Sequence, residues 1–254
     1  MWVKRIYYVS LIRFKILKKR LIKSLLFRCT MKINTCHLVL KTNKKVKQNP
    51  SKFRGYIGRE FDKYPILHNH YGNNKFLYSY PLVQYQIIDG QPSILGIEEG
   101  ADILVDISSK IKALKMGDSY YRVEDHYLYY KEYDVRATRK YHQYKFLSPW
   151  LALNTKNYQS FKNIKDWKEK KSFLNNIMVG NILSMSKGLG IIVNKRLHVS
   201  SLLDDEIAEY KNVQMNAFTG EFKVNFNIPD FFGFGKGVSQ GFGTVIKVTD
   251  QEED

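Results

Sequence analysis

From residue 31 onward the apolar positions alternate between two spacings, and the switches between them mark the predicted elements. Residues 32–42 (KINTCHLVLKT) alternate and are β-branched, which predicts a strand. A basic, polar loop follows and ends at Pro50. Ser51 is placed to cap a helix over residues 52–64, where Phe53, Ile57, Phe61 and Tyr64 recur at helical spacing and Pro65 ends it. Residues 68–74 read as a loop from their Asn and Gly content. Residues 76–89 predict a strand with Pro81 at an edge or bulge, Asp89-Gly90 a hairpin turn, and residues 92–97 the returning strand. A helix is expected over residues 98–115, carried by Ala101, Leu104, Val105, Ile107, Ile111 and Leu114 and closed by Gly117-Asp118. Residues 120–135 form a strand rich in aromatics. The order β-α-β-β-α-β is that of the ferredoxin-like module, which RNA-recognition domains also use.

The second half predicts a strand at 141–153, a long helix at 165–187 closed by Gly188-Leu189-Gly190, and strands at 191–199, 210–219, 221–228 and 243–248. This order reads as an altered second copy. The expected fold class is therefore α+β: two tandem ferredoxin-like (RRM-like) βαββαβ modules, the second modified. The division is a basic extension over 1–30, a first module over 31–137, a second over 138–249 with a glycine-rich segment, and an acidic tail over 250–254.

Composition adds the partner class. The hydrophobic (44%) and charged (26%) fractions are those of a globular protein, and the net charge of +17 points to an anionic partner, nucleic acid or membrane. Residues 1–30 hold nine of the 41 Lys and Arg and no Asp or Glu, which leaves 32 basic against 24 acidic residues elsewhere. No uncharged apolar run approaches the ~20 residues of a membrane span, and no small-residue cleavage site follows the first apolar run. Three readings stay open for residues 1–30: a basic amphipathic helix on membrane or RNA, an unstructured basic arm, or a stretch ahead of a natural start at Met31. The last is favoured, and no function is assigned there. Two cysteines, Cys29 and Cys36, are too few to staple a domain and read as free thiols in a reducing cytosol, so a cytoplasmic location is expected.

Residues 233–243 contain five glycines. Too few residues follow for a dinucleotide-binding βαβ unit, and Lys236 is followed by Gly237 rather than the Ser or Thr of a P-loop. A phosphate cradle and a bare tight turn remain equally open. In residues 136–145 (RATRKYHQYK), Arg136, Arg139, Lys140 and Lys145 interleave with tyrosines, an arrangement that suits phosphate contact with base stacking or, equally, a solvated strand edge. Lys195 and Arg196 fall in an expected hairpin.

The ordered set of motifs resembles one family. Gly233-Phe234-Gly235 through Ser239-Gln240-Gly241-Phe242-Gly243-Thr244 looks like the terminal glycine-rich loop of the CRISPR-associated repeat-processing endoribonucleases, the sixth Cas family. Phe53-Arg54-Gly55-Tyr56, Leu67-His68-Asn69-His70, Tyr80-Pro81-Leu82-Val83-Gln84-Tyr85, Gly96-Ile97-Glu98-Glu99-Gly100-Ala101 and Phe146-Leu147-Ser148-Pro149-Trp150-Leu151 resemble its type I-B-like branch. The similarity runs from about Met31 to Val248 and leaves out residues 1–30.

The resemblance implies RNA cleavage within CRISPR repeats without metal or cofactor, by attack of a 2′-hydroxyl on the adjacent phosphorus. The ends would be a 5′-hydroxyl and a 2′,3′-cyclic phosphate. It places the catalytic histidine in the loop after the first helix, with His70 the first choice and His68 the second. Histidine suits this role because it titrates near neutrality. Lys75, Tyr78 and Arg59 are further catalytic candidates. Lys52, Arg136, Arg139, Lys140, Lys145, Gly233, Gly235, Lys236, Gly237, Gly241 and Gly243 are the expected RNA contacts. A His-x-His zinc site would need further ligands that the neighbourhood lacks. His37 reads as structural, whereas His126 and His142 sit where they could touch RNA. Expected partners are CRISPR repeat RNA, an interference complex and a second copy of the chain, with no membrane. The competing readings are a non-catalytic RNA-binding subunit of a CRISPR ribonucleoprotein and, on residues 1–30 alone, a membrane-surface protein.

Overall fold

Strand β1 (Met31–Thr42) alternates as its sequence demands. Cys36, Leu38 and Leu40 are buried on one side, and Ile33, Thr35, His37 and Val39 lie on the other. The computed structural model describes residues 31–68, 70–71, 75–76 and 80–248; the basic extension and the acidic tail lie outside the described residues.

Helix α1 (Pro50–Glu60) starts two residues earlier than expected. Asn49, not Ser51, caps it by accepting from the Lys52 amide at 3.0 Å, and Pro50 takes the first position, where its missing N–H does no harm. The helix ends at Glu60, and a 3-10 turn (Pro65–His68) leads into two short paired strands, β2 (His70–Tyr71) and β3 (Lys75–Phe76). Strands β4 (Val83–Ile88) and β5 (Gln91–Ile97) make the hairpin, and helix α2 (Glu99–Ser108) follows. Pro81 precedes β4 rather than interrupting it. The expected helix over 98–115 stops at Ser108, because Leu114 and Met116 are buried at a spacing of two in a short strand, β6 (Ala113–Met116). It turns through Gly117 (φ 63°) into β7 (Ser119–Val135).

The first sheet runs β4-β5-β1-β7-β6, all neighbours antiparallel, with α1 and α2 on one face. Leaving out β6, this is the strand order of a ferredoxin-like module.

The second sheet repeats it. Strand β8 (Ala137–Phe146), helices α3 (Thr155–Asn163) and α4 (Trp167–Gly188), strands β9 (Val199–Tyr210), β10 (Val213–Phe226) and β11 (Val245–Lys247) give the order β11-β8-β10-β9. Residues 191–198 are irregular, not a strand, so Lys195 and Arg196 sit in no hairpin. The hairpin tip is Lys211-Asn212, both with positive φ, and it joins β9, a strand with too many carboxylates to read as one in sequence, to β10, which runs unbroken through Gly220. Helix α3 was not expected at all.

One core belongs mainly to the second module, with Tyr144, Phe146, Trp150, Phe218, Phe222 and Phe234 at its centre. It also takes in Ile33, Leu95, Ile97 and Val135 from the first sheet's helix-free face. The two modules therefore share apolar surface, and burying it joins them. No helix among the described residues is long and apolar enough to cross a membrane.

Candidate active site

The turn that carries His68 is fastened from two sides. The Tyr85 hydroxyl, fully buried on β4, donates to the Leu67 carbonyl at 3.1 Å. From α1, Arg54 donates through Nη2 to the His68 carbonyl and through Nη1 to Ser239 Oγ at 3.1 Å. Burial holds the Arg54 guanidinium below its usual range, partly offset by the Tyr85 and Tyr210 phenols nearby. The His68 ring lies against Gly58, one helical turn beyond Arg54, where any Cβ would collide with the imidazole. Arg54 and Gly58 thus form the face of α1 on which the turn rests.

Two other expected contacts lie off that face. At 100° per residue, Lys52 and Arg59 point roughly 140–160° away from Arg54. Lys52 donates instead to Gln48 Oε1 at 2.9 Å, and Arg59 is exposed in the last turn. The structure does not bring either to His68. Strand pairing sets His70 opposite Phe76 and Tyr71 opposite Lys75, which returns the chain beside the histidine turn. The side chains of His70 and Lys75, and all of Tyr78, lie outside the described residues.

The glycine-rich segment approaches the same place. Gly235, Gly237, Gly241 and Gly243 all have positive φ (94°, 78°, 81° and 67°). The reason at Gly235 and Gly243 is packing: a Cβ at Gly235 would press on the Trp150 ring, and one at Gly243 on the Phe234 carbonyl. The expected cradle is correspondingly smaller than residues 233–243. The Gly233 amide donates to Gln84 Oε1 at 3.0 Å, Gly241 to the Val238 carbonyl, and Gly243 to the Pro149 carbonyl, so these three are engaged inside the protein and buried. The amides of Gly235, Gly237, Val238 and Ser239 have no partner among the described residues, and all four residues line a cleft of about 660 Å3.

Tyr80, Lys187 and Tyr210 line the other walls of this cleft. Lys236 is exposed, with its ammonium 5.2 Å from the centre of the Tyr210 ring. The first module also holds the segment by its backbone: the Tyr80 hydroxyl donates to the Gly233 carbonyl at 2.7 Å, and Gln86 Nε2 to the Phe231 carbonyl at 2.7 Å. Sequence reasoning missed Arg54, Gln84 and Gln86. A signal existed for the glutamines, because two polar residues at alternate positions of an otherwise apolar strand share one face.

The basic residues of β8 lie elsewhere. Arg139 and Lys140 are exposed where the register with β10 shifts, at the opposite end of β8 from the cleft. Arg136 pairs with Asp134 at 2.7 Å at the joint between modules, and Lys145 is exposed opposite Glu221. His126 Nε2 is within 2.7 Å of the Ile111 carbonyl, a local packing role. No three His, Cys, Asp or Glu side chains gather as a cation site among the described residues.

Two family models match in tandem, the Cas6b N-terminal domain over residues 31–134 and the Cas6b C-terminal domain over residues 136–248. A protein of Methanocaldococcus jannaschii described as uncharacterized is 43% identical over 144 residues, which cover 56% of this chain and 97% of that protein. A crystal structure of Cas6b is 36% identical with a TM-score of 0.77, over 86% of this chain and 100% of that one. A second, of the CRISPR RNA processing endoribonuclease Cas6b, is 32% identical with a TM-score of 0.68 over the same shares. A Cas6-related protein of Pyrococcus furiosus, 16% identical with a TM-score of 0.51 over 87% of this chain and 100% of that one, shares the fold.

Proposed function

The chain belongs to the Cas6b family, and on that premise we propose that it is a CRISPR RNA-processing endoribonuclease that cuts precursor RNA within its repeats without a metal ion. The observation that carries the reading is the Arg54 bridge. It ties the backbone of the histidine turn to Ser239 of the glycine-rich segment, whose unpartnered amides line the cleft.

The chemistry needs few groups. A base, His70 first and His68 second, takes the proton from a ribose 2′-hydroxyl. The 2′-oxygen bonds to the adjacent phosphorus, the bond from phosphorus to the 5′-oxygen breaks, and an acid returns a proton to that leaving oxygen. The products are a 2′,3′-cyclic phosphate and a 5′-hydroxyl. Negative charge on the phosphorane is met by the amides of Gly235, Gly237, Val238 and Ser239 and by Lys187, which line the cleft, with Lys236 exposed beside Tyr210 at its edge. Arg54 acts through the turn's backbone as a positioning residue. Lys75 and Tyr78 remain candidates for the acid. Arg59, exposed in the last turn of α1 and off the Arg54 face, stays a candidate for contact with the scissile phosphate. Repeat RNA is the partner, with product passed to an interference complex.

The test is cleavage of the host's repeat RNA by the full chain in excess chelator. Site-specific cutting with cyclic-phosphate ends is expected, and cutting that stops with chelator overturns the metal-free mechanism. His70→Ala should slow cutting by about 10²–10⁴-fold while RNA affinity holds. Normal cutting by that variant removes His70 from the site, and loss of affinity with it makes His70 a binding residue.

A further inference from the structure

The helix-free face of the first sheet is only partly covered by the second module. Pairing of His37 with Tyr129, Val39 with Tyr127 and Thr35 with Lys131 puts these residues together on that face. There a pocket of about 420 Å3 opens between β1, β5, β7 and residues 230–231. Four rings, of His37, Tyr129, Tyr133 and Phe231, line it beside Thr35, Val39 and Leu95. His37 stacks on Phe231 with centroids 4.0 Å apart, and Tyr129, 60% exposed, stands 6.5 Å from the His37 ring.

Two features of this pocket work against stability. Phe231 has φ 66°, a left-handed backbone that costs a bulky residue about 1–3 kcal/mol. It is held there by Gln86 on its carbonyl and by its own amide on the Val245 carbonyl. His37 Nε2 is buried with no hydrogen-bond partner among the described residues. Burial pushes the imidazole down to about 4, so it is neutral near pH 7 and offers one donor or acceptor at that nitrogen, according to tautomer. Both features gain a use when a flat ring with polar edges enters.

We propose that this pocket takes an unpaired RNA base away from the cut site, stacked on Tyr129 and hydrogen-bonded by His37 Nε2. The inference rests on the RNA-cutting reading above and adds a second, non-catalytic contact to it. The charges agree. Lys131 is exposed at the rim, and the one carboxylate, Asp230, is held by the Tyr133 hydroxyl at 3.3 Å, the Lys247 amide at 3.0 Å and the Lys131 ammonium at 4.0 Å. An aliphatic protein side chain would match the aromatic walls but leave the imidazole nitrogen unbonded. The chain between β10 and β11 gives Phe231 to this pocket and Gly235, Gly237, Val238 and Ser239 to the cleft, so a single connection borders both.

The experiment uses the full chain and repeat RNA carrying 2-aminopurine at successive positions, whose fluorescence falls on stacking. Wild type should quench at one or two positions outside the cut site. Tyr129→Ala should abolish that quench and weaken RNA binding by about 5- to 150-fold, the range for one stacked base, while cleavage at saturating RNA is unchanged. His37→Phe keeps a ring and should keep the quench but lose preference for the base at that position. Wild-type affinity and quench in Tyr129→Ala overturn the proposal and give the face to protein docking. Unaltered base preference in His37→Phe overturns the role of the ring nitrogen. Failure of wild type to bind repeat RNA strikes the functional reading instead, and with it the platform. Thermal melts of Tyr129→Ala, exposed enough to leave the core intact, separate lost binding from lost folding.

Discussion

Apart from β6, the two modules share a strand order, and one connection sets them furthest apart. In the first, α2 and then the short β6 link β5 to β7; in the second, residues 227–244 link β10 to β11 with only a 3-10 turn (Val238–Gln240). A helix bonds its own backbone, whereas an irregular segment must find partners elsewhere. Here they come from both sides: Gln84, Gln86 and Tyr80 in the first module, Pro149 and Leu151 in the second. The missing helix is thereby replaced by a joint between modules. The amides that the joint does not use are those that face the cleft.

The sharpest way to break this comparison is Gly243→Ala. Its φ of 67° and the carbonyl of Phe234 both oppose a Cβ, so we expect a loss of about 3 kcal/mol or more in urea unfolding. A loss below that of an ordinary surface change would mean that the segment is not a joint.

His37, packed on the same segment, should give a similar effect with pH. The folded group titrates near 4 against 6.5 when unfolded, so the unfolded chain takes the proton first. Stability then falls as pH drops from 6.5 to 4 and levels below, by up to about 3 kcal/mol. His37→Phe should lose less stability than wild type between pH 7 and pH 4.5. Lys131 and Asp230, which share the pocket, are present in both proteins and cancel in that comparison.

Gln84→Leu removes the acceptor of a buried amide and should cost about 1–3 kcal/mol, with cleavage lowered as the segment shifts. The control belongs to the first module. Gly55 lies within α1 with nothing within 4 Å of a Cβ, so Gly55→Ala should stabilise by about 0.5–1 kcal/mol. Opposite signs for two glycines of the family motifs would sharpen the contrast between a helix that bonds itself and a segment that does not.

Much of the fold was legible. The α+β class, two ferredoxin-like copies and the altered second one follow from periodicity and turn residues, and the order of motifs pointed to the family. Misreadings arose where two periods fit the same residues. Ile111 and Leu114 extend a helical pattern, yet Leu114 and Met116 are buried as a strand. The carboxylates of β9 hid a strand whose backbone is paired along its whole length with β10.

The chain by itself determined most of the first module's elements, its basic character and the position of the histidine turn, because propensity and turn chemistry act between near neighbours. Only the tertiary structure decided which cation meets that turn. Lys52, Arg54 and Arg59 are all cations of one helix, and the packing of α1 selects Arg54 by its face. It also decided what each glycine does. Gly233 is bonded to Gln84, 149 residues away, and no local pattern can report a partner at that distance.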